Sequence, residues 1–146
     1  MSAFSPIISL TARLSAQSHQ FLLAHLKAAG FPDIAPCHGD VFAVLFHEDG
    51  LGLMELARRS GRSKSTVSVM VRRLTSLGYL EKTTDLRDPR AVCIRLSQKG
   101  RQLRPVFDAI SEVMQQTLAT HFTPEELKTF EALLRKGSRN FENLSA

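Results

Sequence analysis

Within the eleven positions from 63 to 73 the chain places Ser63, Lys64, Ser65, Thr66, Ser68, Arg72 and Arg73. Short hydroxyls donate and accept hydrogen bonds at base edges and phosphate oxygens, and the cations match phosphates and guanine acceptors. At the start of a helix this is chemistry for holding a polyanion. Ser63 is equally the residue type that caps a helix, with Thr66 as its neighbour three positions on. Two more arginines, Arg87 and Arg90, stand in the charged stretch Asp85-Leu86-Arg87-Asp88-Pro89-Arg90. A guanidinium carried on a projecting loop suits the negative potential of a DNA minor groove, although the same stretch reads as an ordinary hairpin loop.

Other chemistry is sparse. There is no Gly-x-Ser-x-Gly, no phosphate-binding glycine loop, no His-Glu-x-x-His and no clustered acid pair, so the reading is not an enzyme and calls for no cofactor. Cys37, His38, Asp40, His47 and His121 form no recognised metal-ligand spacing, and no metal is expected. Cys37 falls near the start of the second predicted helix, a setting that suits a redox-active thiol; a small buried cysteine is the other reading. His38 beside it is the candidate contact for a carboxylate effector. The only other cysteine, Cys93, is 56 positions away, which gives no disulfide framework and fits a reducing cytoplasm.

The elements that must position these residues follow from periodicity and breakers. Ile8, Leu14, Phe21, Leu22 and Leu26 mark a first helix over roughly residues 5–29, closed by Gly30. Pro36 opens a second helix that ends near Asp49-Gly50, largely apolar through Val41, Phe42, Val44, Leu45 and Phe46. A short amphipathic helix with Leu53, Leu56 and Ala57 stops at Ser60-Gly61. A longer helix then buries Val67, Met70, Val71, Leu74 and Leu77 on one face and ends at Gly78. Residues 79–84 and 91–96 read as the strands of a hairpin. Ser97 caps a long helix, with Pro105 predicting a kink or break, and Thr123-Pro124-Glu125-Glu126 opens a last helix that ends near Gly137.

With 146 residues, 43% of them apolar, the chain has the material for one ordinary domain with a core. Its longest apolar runs, such as Val41 to Phe46, fall far short of a membrane span, and its N-terminus lacks a signal-peptide pattern. The expectation is therefore a soluble cytoplasmic protein that uses no membrane. The net charge of +5 is unevenly placed: residues 50–104 hold 13 Lys and Arg against four acids, a net of +9, while the remainder nets −4. A basic middle between acidic flanks predicts one surface aimed at nucleic acid.

The order helix, short helix, break, longer helix and charged hairpin is the layout of a winged helix-turn-helix. Ser63-Lys64-Ser65-Thr66-Val67-Ser68, Arg73-Leu74, Gly78-Tyr79-Leu80-Glu81-Lys82, Asp88-Pro89-Arg90 and Leu96-Ser97 before Lys99-Gly100 resemble the MarR family of bacterial transcriptional regulators. The six-helix layout extends that resemblance over nearly the whole chain. It implies a mainly α fold with a small β-hairpin wing, with residues 35–104 as the winged helix-turn-helix and residues 1–34 and 105–146 as a helical dimerisation region. It implies a homodimer on a pseudo-palindromic double-stranded operator, acting as a repressor released by a small phenolic or lipophilic effector. By motif position Ser63, Lys64, Ser65, Thr66 and Ser68 would read the major groove, Arg72 and Arg73 would support it, and Arg90 would be the wing arginine. Val69 and Pro89 depart from the family pattern, where polar or basic residues are common. The alternatives are a redox-sensing repressor acting through Cys37, or a winged helix that binds protein.

Overall fold

The computed structural model describes residues 5–84, 87–88 and 90–144. Its first helix, α1 (Pro6–Ala28), begins where Ser5 accepts the Ile7 N–H. A 3-10 turn (Pro36–His38) leads into α2 (Gly39–His47), followed by α3 (Leu53–Ser60) and α4 (Lys64–Ser76). The strands β1 (Leu80–Thr84) and β2 (Val92–Leu96) come next, then α5 (Gln98–Ala119) and α6 (Pro124–Glu142). The chain divides into two compact units, residues 1–110 and 111–146.

In the first unit Phe42 sits at the centre of an aromatic cluster. It meets Tyr79 edge-on at 5.9 Å between centroids, and Phe46 and Phe107 lie within 6.4 Å. Val67, Val71 and Leu74 of α4 are buried with Leu45, Leu56, Leu80, Ile94 and Leu103, so the apolar stripe predicted for α4 is the face it presents to the core. At the C-terminus of α4, Gly78 takes φ +86; the Tyr79 N–H then reaches the Leu74 carbonyl at 2.9 Å. This left-handed cap turns the chain from helix directly into β1.

The strands pair antiparallel with Leu80 opposite Leu96 and Thr84 opposite Val92. Leu51 adds a one-residue bridge on the other edge of β2, exchanging both backbone hydrogen bonds with Ile94. Asp49 secures the same corner by accepting the Leu96 N–H at 2.9 Å. Behind the hairpin, the Ser97 hydroxyl accepts the Gly100 N–H and donates to the Gly78 carbonyl, tying the start of α5 to the end of α4. At Gly100 the chains approach so closely that a Cβ would stand 2.2 Å from the Tyr79 carbonyl oxygen.

Several local expectations are corrected. Pro105 does not break α5, which runs through it; because the position is exposed, the carbonyl it fails to satisfy can turn to water. Gly137 does not end α6, which continues to Glu142; a helical glycine costs only about 1 kcal/mol. Pro36, Cys37 and His38 form a 3-10 turn rather than the first turn of α2. On α1 only Leu26 is buried, while Ile8 and Leu14 are exposed. In the second unit, the hydroxyl of Thr123 and the carboxylate of Glu126 cap α6 reciprocally, and no residue of α6 is buried.

Candidate nucleic-acid interface

The start of α4 is organised by one hydroxyl. Ser63 Oγ accepts the Thr66 N–H at 3.2 Å, donates to Thr66 Oγ1 at 2.7 Å and lies 3.2 Å from Ser65 Oγ. The structure thus brings Ser63, Ser65 and Thr66 together as a helix cap. Every one of these side chains, and Lys64 with them, is exposed.

Helix geometry decides what else shares their surface. At about 100° per residue, the centre of the buried stripe of Val67, Met70, Val71 and Leu74 lies opposite Ser65, Val69, Arg72 and Ser76. These four residues form the outermost line of the helix. Ser68 is half-buried on one flank and Arg73 exposed on the other. Val69 and Ser76 were not among the candidates, yet they stand on the central line; placing the known buried residues on a helical wheel would have found them. The Ser76 hydroxyl is spent on the Arg73 carbonyl at 2.7 Å.

Charge is less evenly available than composition predicts. Arg58 and Arg59 both hydrogen-bond Glu55, and Arg59 also reaches Glu48. The two guanidinium groups hold the Glu55 carboxyl at a pKa of about 2. Arg62 binds Asp40 at 2.8 Å. The Glu55 pairs lie within α3, while Arg59–Glu48 and Arg62–Asp40 tie α3 and the residues after it to the α2 region; on an exposed surface each is worth little stability. Lys99 donates to the Leu77 carbonyl and stands 4.2 Å from the centre of the Tyr79 ring. Lys64 and Arg72 have no ion pair among the described residues, so both are open to an external anion.

The hairpin connection carries Arg87 and Arg90, both exposed. Asp88 accepts the Arg90 N–H through its carboxylate at 3.0 Å, and its carbonyl accepts the Ala91 N–H. That turn chemistry fixes the backbone from which the Arg90 side chain extends. The expected contributions of Asp85, Leu86 and Pro89 lie outside the described residues.

Cys37 and His38 are set apart from the α4 cap, in the 3-10 turn before α2. Cys37 is half-buried and its thiol is free. His38 is buried, and its Nδ1 accepts the Ala35 N–H at 3.1 Å, which leaves the ring proton on Nε2 in the neutral form. Burial, reinforced by the positive charge of Arg73 and opposed by Asp33, lowers its pKa. Asp33 also accepts the Tyr79 hydroxyl at 2.7 Å; burial and then that contact raise the phenol pKa. Among the described residues no three His, Cys, Asp or Glu side chains gather as a metal site. No helix there is long and apolar enough to cross a membrane.

Comparison with known proteins bears on this arrangement. Residues 40–84 match the model of the IclR helix-turn-helix domain, a related winged-helix family. Over 94 residues, 64% of this chain, the sequence is 30% identical to the HTH-type transcriptional regulator TtmR of Methylorubrum extorquens; the match spans 45% of that protein's length. The fold superposes on MepR of S. aureus, solved as a DNA complex, with a TM-score of 0.80 and 27% identity, covering 94% of this chain and 98% of MepR. It also superposes on a MarR mutant of E. coli complexed with operator DNA, with a TM-score of 0.75 and 21% identity over 90% of this chain and 92% of that one. The IclR match stops at the first strand, whereas the two superpositions extend over 94% and 90% of this chain. The chain shares the winged helix-turn-helix fold of MepR and MarR.

Proposed function

We propose that the chain is a sequence-specific DNA-binding regulator that binds a pseudo-palindromic operator as a homodimer and represses transcription in the cytoplasm. It is a binding protein rather than an enzyme. The observation that carries this reading is the outer face of α4, where Ser65 and Arg72 are exposed opposite the face held by the core, with Lys64 exposed in the first turn. An α-helix so anchored fits the major groove, with its first turn nearest the bases. Arg87 and Arg90 serve the adjacent minor groove.

The terminal helices support the homodimer. Ile7, Ile8 and Leu10 of α1, and Leu133 and Phe141 of α6, are more than half exposed. At the turn into α6, His121, Phe122, Phe130 and Leu133 line an open hollow of about 570 Å³. A second copy would cover these faces and set two recognition helices on one two-fold axis. The dimerisation region accordingly comprises residues 1–34 and 105–146.

Release from DNA follows binding of a small phenolic or lipophilic effector. A cavity of about 400 Å³ within the first unit is lined by Leu45, Phe46 and Leu96 together with His47, Asp49, Arg101 and Arg104. Neither Cys37 nor His38 lines it; those two residues are a separate effector or redox candidate.

Footprinting on DNA flanking the gene tests the proposal. Two protected half-sites centred roughly 10 base pairs apart, together with a dimer mass in sedimentation, are expected. A single protected patch bound by a monomer would refute the two-fold reading.

A further inference from the structure

Val69 is the one apolar side chain on the solvent face of α4, with 62% of its surface exposed. A single exposed valine is ordinary on a protein surface; its position is what matters. It lies four residues after Ser65 and three before Arg72, on the central line of the face opposite the core. A β-branched residue is also a poor choice for an exposed helix interior if only local stability counts. Around it, the Ser63 hydroxyl is occupied by the cap and the Ser76 hydroxyl by the helix backbone. With Thr66 Oγ1 also taken by Ser63, the polar neighbours of Val69 on and beside the outer line are Ser65, Ser68 and Arg72, with an aliphatic group in their middle.

We propose that Val69 is a specificity residue that reads a thymine by contact with its 5-methyl group. This rests on the DNA-binding reading above. Valine offers no hydrogen bond to a base, and a donor or acceptor placed against it in the groove would be desolvated without a partner. The thymine methyl is the one apolar group a base pair shows in the major groove. Covering it against the valine selects thymine over cytosine at one position of each half-site, and 5-methylcytosine substitutes for thymine in that contact. Ser65 and Arg72, on either side, fix the register through polar groups and phosphates.

The experiment uses the full chain and a DNA sequence that it selects from a random pool. Each thymine is replaced singly by uracil, which keeps the pairing groups and removes only the methyl. Wild type is expected to lose about fourfold in affinity, the worth of one buried methyl, at one thymine per half-site and to be indifferent at the others. Val69→Ala, checked for folding by thermal melting, should bind the thymine site about as weakly as wild type binds the uracil site and lose nothing more on uracil. The inference is overturned if no single uracil weakens wild type, or if the loss persists undiminished in Val69→Ala. Should wild type select no sequence at all, the DNA-binding reading and this inference fall together; selection without methyl dependence removes the inference alone.

Discussion

Gly100→Ala tests how the hairpin is held against the recognition helix. A Cβ at this position stands 2.2 Å from the Tyr79 carbonyl oxygen and 3.3 Å from Leu96 Cδ2. The nearer obstacle is backbone, so no rotamer change relieves it. That carbonyl accepts the Ser97 N–H at 2.9 Å, and the Ser97 hydroxyl bonds both Gly100 N–H and the Gly78 carbonyl. Moving α5 outward by the needed ångström therefore strains the α4 terminus, β1 and the α5 cap together. Overpacking a well-packed site costs about 1–3 kcal/mol, and loss of one hydrogen bond adds about 1 kcal/mol. We expect a loss of about 3 kcal/mol, read from the midpoint of denaturant unfolding at unchanged slope. A variant within about 0.5 kcal/mol of wild type would refute the close approach and the argument that this junction sets the wing.

Three further outcomes follow. Ser63→Ala should cost about 1 kcal/mol of stability as a lost helix cap, while Ser63→Asp, which retains the cap acceptor, should recover most of it; equal losses would refute the cap assignment. Arg90→Ala should reduce the dependence of log affinity on log salt by about 0.9 without changing the melting temperature, and an unchanged slope would take Arg90 out of the interface. Because the folded protein disfavours protonated His38, stability should be fully present above about pH 6.5, fall as the pH drops below it, and level off below the lowered folded pKa. His38→Asn keeps an acceptor for the Ala35 N–H and cannot titrate, so stability against pH should flatten over that window. The same slope in both proteins would mean that His38 does not carry it.

What was legible beforehand is what local chemistry dictates. Gly30 and Gly78 mark helix ends because both take the left-handed conformation, and Ser63 and Thr123 cap helices through their own hydroxyls. The buried stripe of α4 follows from spacing alone. Leu51 was not legible, because a one-residue bridge between two glycines has no period. Gly137, and Pro105 as a break, misled because each is a local breaker that the surrounding helix tolerates. On the interface, the +9 segment was countable, but Glu48 and Asp40, which bind Arg59 and Arg62, lie outside it in sequence. Ser63 was readable as either cap or contact; the hydrogen bonds assign its hydroxyl to the cap, and Val69, marked only as a departure, stands at the centre of the face.

The central claim is tested most directly by titrating the purified chain onto DNA flanking its own gene and onto scrambled DNA at several salt concentrations. The account predicts tight binding to the flanking fragment, weaker binding to the scrambled one, and affinity falling linearly in log salt with a slope of about −0.9 for each phosphate contacted. Absence of binding to either DNA at low salt would contradict it and favour a winged helix that binds protein.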